Sequence, residues 1–359
     1  MSYEIVYTSS LQGLNGSGRG FCTVAATSGI PRVLQEKLES LSGYRHLHSP
    51  GSKRNAVNYC CQTIRIQQEP YIVLSRIADA GNDFSGRSNK IAHHLALSLN
   101  EARATSSPPT ALLADRDFWY TKWSGEPLWL PAGRMPTPVP FDRVPCDTWK
   151  STFGDAGWAG IVARSAANDS EPVCVILPEA CNALGLVKEA LQLLPSRLHW
   201  KVSFSTYFAR TSGGECQWRF LRDGMDEATA VRSRPVGIVI DSKSRIDPSD
   251  DDAYMTAARS GDHTVVQRSS APDSSAAIGS IEGRPVTQSQ RRRREAGARA
   301  REARLAAKAR PDSRRGRDMA PGPQSPAANG GRFRKWWIAA GVLLLSVISI
   351  LVVWLIVSD

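Results

Sequence analysis

The chain has 359 residues, with 45 Lys and Arg against 34 Asp and Glu and a formal net charge of +11. Its seven cysteines are odd in number and lack paired short spacings, which argues against a disulfide framework and a structural zinc site and leaves buried reduced thiols; the opening MSYEIVYTSS has neither the basic start nor the apolar run of a secretory signal. A basic chain usually suggests nucleic acid, yet between Arg284 and Lys335 there are 16 Lys and Arg against 4 acids, so the remainder is close to neutral and the positive charge belongs to one segment.

Residues 1–241 carry the apolar periodicity of a folded body, long enough for one large or two ordinary domains. Tyr3 to Ser9 and Phe21 to Thr27 are rich in β-branched and aromatic residues and predict two strands joined by the loop LQGLNGSGRG. A helix follows, with Pro31 in its first turn, Leu34, Leu38 and Leu41 on one face and Gly43 ending it. Asn58 to Ile66 and Tyr71 to Ile77 read as a hairpin around QQEP. Ile91 to Leu97 reads as a strand, and Ser98 with Glu101 has the spacing of a capping box that opens another helix. Six prolines between Pro127 and Pro145 mark a boundary, placed near Val144, so that 1–143 and 144–241 form two α/β modules.

In the second module Pro172 to Leu177 reads as a short apolar strand and Asn182 to Leu194 as a helix. Trp200 to Phe208, Cys216 to Leu221 and Val236 to Ile240 read as further strands. The fold class is therefore mixed α/β. From 242 to 331 Pro, Ser, Ala, Arg and Asp dominate and Tyr254 is the only aromatic residue, a composition that predicts a disordered linker, acidic and then basic. Residues 332–335 form a basic flank. From Trp336 to Val357 there are 22 residues without a charge, about 33 Å as a helix, which predicts one C-terminal transmembrane helix with Trp336, Trp337 and Trp354 at its interfaces. On this reading Arg291, Arg292, Arg293, Arg294, Arg332, Arg334 and Lys335 face anionic lipids, and the protein is a tail-anchored, single-pass protein of a plasma membrane with its body cytoplasmic. Lipid headgroups are preferred to nucleic acid as the partner of the arginine run.

Candidate chemistry is sparse. Gly13, Gly16, Gly18 and Gly20 invite a phosphate loop, but a strand follows them where a helix is required. The densest polar block is IADAGNDFSGRSNKIAHHLAL, holding Asp79, Asp83, Arg87, Asn89, His93 and His94. Adjacent histidines point to opposite faces of a strand, so no metal is expected there. One is read as a hydrogen-bonded core residue and the other as exposed, with Arg87 and Asn89 closing the turn into the strand. A Cys22 nucleophile with His93 or His94 and Asn89 is conceivable, but no local pattern supports it.

The opening YTSSLQGLNGSGRGFCTVAATSGIP, the segment LESLSGYR, the block SGRSNKIAHHLAL and, later, LLPSRLHWKVSFSTYF resemble the N-terminal and middle regions of the GTPase-associated protein 1 family over residues 1–210. The resemblance implies a bacterial protein serving as an adaptor beside small GTPases in conflict or signalling systems, a GTPase or its associated proteins as partner, and no cofactor or established catalytic residue. Together these readings give a membrane-tethered, non-enzymatic adaptor. The rival readings are an anchored enzyme using the Arg87 to His94 block and a nucleic-acid tether using the arginine run.

Overall fold

The computed structural model describes residues 1–266 apart from 15, 17, 18, 141–144, 169–170, 211–214, 245–251 and 265. They belong to one compact unit, Met1–Ala277; a second, Ile278–Asp359, lies outside the described residues.

The first half is an antiparallel sheet built from the segments whose composition favours strands. β1 (Tyr3–Ser10) pairs with β2 (Gly20–Thr27) and with β5 (Ser88–Ser98), β5 pairs with β4 (Glu69–Asn82), and β4 pairs with β3 (Asn58–Ile66). The β3–β4 hairpin is tighter than its sequence suggests: Ile66 pairs with Glu69, leaving a two-residue turn in which Gln67 and Gln68 have φ of 47° and 75°. Two successive left-handed residues match the right-handed twist of the strands, a geometry that Asn-Gly normally supplies. α1 (Arg32–Ser40) starts after Pro31 and lays Leu34 and Leu38, both fully buried, on Ile5, Val73 and Ala96. Leu41, and not Gly43, is its C-cap. The expected capping box is present: Ser98 accepts from the Glu101 N–H, and the Glu101 carboxylate accepts from the Ser98 N–H, opening α2 (Leu99–Ala104).

The second half contributes four parallel strands, β7 (Val173–Leu177), β8 (Phe204–Ser205), β9 (Trp218–Arg222) and β10 (Ile238–Asp241), in the order β10-β7-β9-β8. All five residues of β7 are buried, as expected for a parallel strand covered on both faces. Val173, Val175 and Leu177 meet α6 (Ala183–Gln192), while Cys174 and Ile176 pack with Met225 and Ala228 at the start of α8 (Asp226–Ser233). β8 also pairs antiparallel with β3, Cys60 opposite Ser205 and Cys61 opposite Phe204, so both halves share one ten-stranded sheet. At its far edge β6 (Leu128–Leu130), from the proline-rich stretch, runs parallel to β2.

Several expectations need correction. The strand anticipated over Trp200 to Phe208 shrinks to Phe204–Ser205, because α7 (Ser196–His199) consumes the preceding turn and Trp200 caps it. α3 (Pro109–Leu113), α4 (Asp147–Phe153), α5 (Gly157–Ala167) and α8 were not foreseen. The segment expected to be disordered from 242 contains α9 (Ala253–Ser260), whose Met255, Ala257 and Ala258 are fully buried. Asp252 caps α9 and pairs with Arg164 at 2.7 Å, and Arg259 pairs with Asp155 at 2.6 Å. A short run of small residues can dock because Gly160 on α5 lets the α9 backbone approach; a Cβ there would lie 2.6 Å from Met255 N.

The membrane reading finds no support among the described residues. Among the described residues no helix is long and apolar enough to cross a membrane. The longest described helix, α5 with 11 residues, is roughly half the ~20 residues that a spanning helix requires. The segment 336–357 with Trp336, Trp337 and Trp354, the flank Arg332, Arg334 and Lys335, and the run Arg291 to Arg294 lie outside the described residues. The tail anchor, the plasma-membrane localisation and the anionic-lipid partner all depended on a spanning helix, and no described helix supplies one.

Candidate functional site: a cationic crevice beside a locked polar block

The polar block singled out in the sequence occupies the β4–β5 hairpin and the length of β5. At the hairpin tip Asp83 accepts from the Ser85 hydroxyl, from the Ser85 and Arg87 N–H groups and from the Ser9 hydroxyl, and these donors, the Ser85 hydroxyl foremost, hold its carboxyl well below the usual carboxylate range. Arg87 is exposed and closes back onto Ser85 and Asp83. Asn89 is buried, its Oδ1 accepting from the Ser9 and Lys90 N–H groups and from Thr8. Asp79 organises the neighbouring loop: it accepts from Asn55 Nδ2 and from the Gly51 and Gly81 N–H groups, each at 2.7 Å, and contacts His46 at 3.1 Å. Burial opposes its charge, but these donors outweigh burial and lower its pKa.

His93 and His94 point to opposite faces of β5, as anticipated, but neither is exposed. On one face His94 contacts Ser42 Oγ through Nε2 at 2.9 Å and Ser75 Oγ through Nδ1 at 2.7 Å. A neutral imidazole satisfies both hydroxyls, and burial, with His93 and Lys90 nearby, pushes its pKa down to about 3. On the other face the Tyr120 N–H donates to His93 Nδ1 at 3.1 Å, which fixes the proton on Nε2, and this N–H donates to Glu4 Oε1 at 2.8 Å. Arg134 donates to the same oxygen at 2.8 Å, while its guanidinium lies over Phe118 and Tyr120. Burial lowers the His93 pKa against the opposing pull of Glu4. His93 stacks on Phe118 with ring centroids 5.2 Å apart.

These groups do not converge. Arg87 is at a solvent-facing tip, Asn89 is a turn lock, and the histidines serve separate networks on opposite faces. Cys22 lies on β2 with β1 between it and β5, roughly 10 Å away at ordinary strand spacing. The described part of the glycine-rich loop connects two antiparallel strands. Among the described residues no group of three or more His, Cys, Asp or Glu could hold a metal. The seven cysteines are free thiols, with only Cys181 partly exposed, and burial raises Cys60 to about 11 and Cys146 to about 12.

A concave feature lies elsewhere, at the carboxyl ends of β7 and β9, where Leu177 and Arg222 are register partners. From there the chain leaves β7 through α6 toward β8 and leaves β9 through α8 toward β10, on opposite faces of the sheet and toward opposite edges. Such a divergence opens a crevice beyond the strand ends. It has a volume of about 600 Å³ and is closed on one side by residues 53–57 of the first half. Arg222, 7% exposed, donates to the carbonyls of Pro178, Glu179 and Cys181 at 2.9, 3.0 and 3.2 Å; its Nε has no hydrogen-bond partner, and no carboxylate among the described residues lies within ion-pairing distance. Lys53 and Arg54 are exposed at the rim. Glu179 is the one acid in the lining; it pairs with Arg54 and contacts His48 at 3.1 Å, and the Arg54 hydrogen bonds lower its pKa. The N-terminus of α6 faces the same space, with Asn182 capping Gly185 N–H at 3.0 Å. Sequence reasoning did not find this crevice. Its one signal is an arginine closing the apolar strand WRFL before Asp223-Gly224.

Taken together, these features define a mixed α/β protein whose two sequence halves share a single sheet. The chain belongs to the GTPase-associated protein 1 family. The family model of the N-terminal domain type 2 matches residues 1–136 and that of the middle domain matches residues 146–243. No curated protein and no solved structure matches the chain.

Proposed function

We propose that the chain is a partner-binding component of a GTPase-linked system, with its ordered α/β body supplying the contact surface. Membership of the family across both halves of that body carries the reading. The internal commitment of His93, His94 and Asn89 favours it over an enzyme built on the Arg87 to His94 block, because these groups satisfy one another and the backbone in separate networks. Nucleic-acid binding through the arginine run would depend on residues outside those described.

The edge strand β6 suits protein contact. Successive strand residues point to opposite faces, yet Leu128 and Trp129 are 42% and 49% exposed, so apolar surface is presented on both sides of an edge that, among the described residues, pairs only with β2. Pro127 and Pro131 bracket the strand and keep the open edge short, which discourages self-pairing while leaving room for a partner strand or apolar loop. When the intact chain is recovered from its native host in the presence of GDP or of a non-hydrolysable GTP analogue, a GTPase is expected to co-purify in at least one nucleotide state. Recovery of the intact chain without a GTPase in either state would contradict the reading.

A further inference from the structure

We propose that the crevice at the carboxyl ends of β7 and β9 is a binding site for the phosphoryl group of a phosphorylated small molecule. Three cations, Lys53, Arg54 and Arg222, line a space that contains a single acid, Glu179. Lys53 has no ion-pair partner among the described residues, and Arg222 is held by carbonyls alone, so the lining carries an excess of two positive charges. A phosphoryl dianion matches that excess. A single carboxylate ligand would leave half of it uncompensated.

Glu179 now occupies the place such an anion would take. It lies against Arg54 and His48 at the rim, near the start of α6, and exposed carboxylate–arginine pairs are weak enough to be exchanged for an incoming phosphate. The α6 N-terminus adds the favourable end of a ten-residue helix dipole. The volume of about 600 Å³ exceeds what inorganic phosphate fills and lies within the range of small-molecule sites, so the ligand carries an organic portion beside Tyr59 and Leu184. The site stands independently of the proposed GTPase partner.

The test is calorimetric titration of the full chain with inorganic pyrophosphate and, separately, with a nucleoside diphosphate. Lys53 and Arg54 are exposed, so Lys53→Ala with Arg54→Ala leaves the fold intact, as thermal unfolding will verify. This double variant is expected to bind pyrophosphate at least about tenfold more weakly. Glu179→Gln removes the competing carboxylate and is expected to bind it several-fold more tightly, an opposite shift that loss of folding cannot mimic. Equal affinities for the two probes would place recognition on the phosphoryl group, and tighter nucleotide binding would extend it to the organic portion. Absence of pyrophosphate binding at millimolar concentration, or an affinity unchanged in both variants, overturns the proposal.

Discussion

Lowering the pH from about 7 to about 5 is expected to destabilise the body by about 2 kcal/mol through His94 alone. Its native pKa is held down to about 3 by burial between Ser42 and Ser75, against 6.5 for a free imidazole. Between these values the unfolded chain binds a proton that the native chain refuses. The contribution is therefore fully present above the unfolded value and is lost as the pH falls toward the native one. His93 acts in the same direction, because burial lowers its pKa too. Asp79, Asp83 and Glu101, whose native pKa values are lowered, lose their contributions only as the pH falls through the carboxylate range, while Glu189, raised by burial, opposes the imidazoles as the pH falls, so the His94 variant is what separates the imidazole contribution. Urea unfolding at pH 7, 6 and 5 measures the slope. A His94→Asn variant should be less stable at pH 7 and show a shallower dependence, and an unchanged slope in that variant would refute the assignment.

Gly160→Ala should lower stability even though the same change in an ordinary helix interior raises it by about 1 kcal/mol. The new Cβ would sit 2.6 to 2.7 Å from backbone atoms of Tyr254 and Met255, and backbone cannot swing aside as a flexible side chain can. Overpacking of this kind costs about 1–3 kcal/mol, enough to reverse the gain in propensity. Release of α9 also exposes Met255, Ala257 and Ala258 and strands the Arg164–Asp252 and Arg259–Asp155 pairs. Hydrogen exchange across Ala253–Ser260 reports the outcome directly. Faster exchange there with a lower melting temperature is expected, and a variant more stable than its parent would show that α9 does not depend on the close approach.

What the sequence revealed and what it hid follow from how far each feature reaches along the chain. β1, β2, α1, the β3–β4 hairpin and the Ser98–Glu101 box are written in local periodicity and cap spacing, and the structure places them within a few residues of the expected limits. α5 and α9 were missed because both are rich in small residues, and their stability lies in mutual close packing through Gly160, a contact that spans some 95 positions and leaves no periodic signature. The membrane reading rested on a local run of apolar residues, and no described helix supplies what it required. In the polar block, strand alternation correctly sent His93 and His94 to opposite faces. It could not foresee that Phe118, Trp119 and Tyr120 would bury one face while α1 and Ser42 buried the other. Glu4 and Arg134, the partners of that network, lie 130 residues apart and have no mutual signal in sequence. The crevice was hidden for the same reason, since Lys53, Glu179 and Arg222 meet only when β8 joins β3 and the two halves share a sheet.

The partner-binding role is tested most directly by titrating the intact chain with the purified GTPase that co-purifies with it, comparing the parent with Trp129→Asp. Trp129 is 49% exposed on the open edge, so the substitution should leave the melting temperature nearly unchanged. An aromatic anchor at the centre of a contact typically carries 2 kcal/mol or more, so binding should weaken by about 30-fold. Measurable binding by the parent with a loss of that size in a variant that still folds is the predicted result. No binding by the parent to the GTPase in either nucleotide state, or equal affinity of parent and variant, would contradict the account.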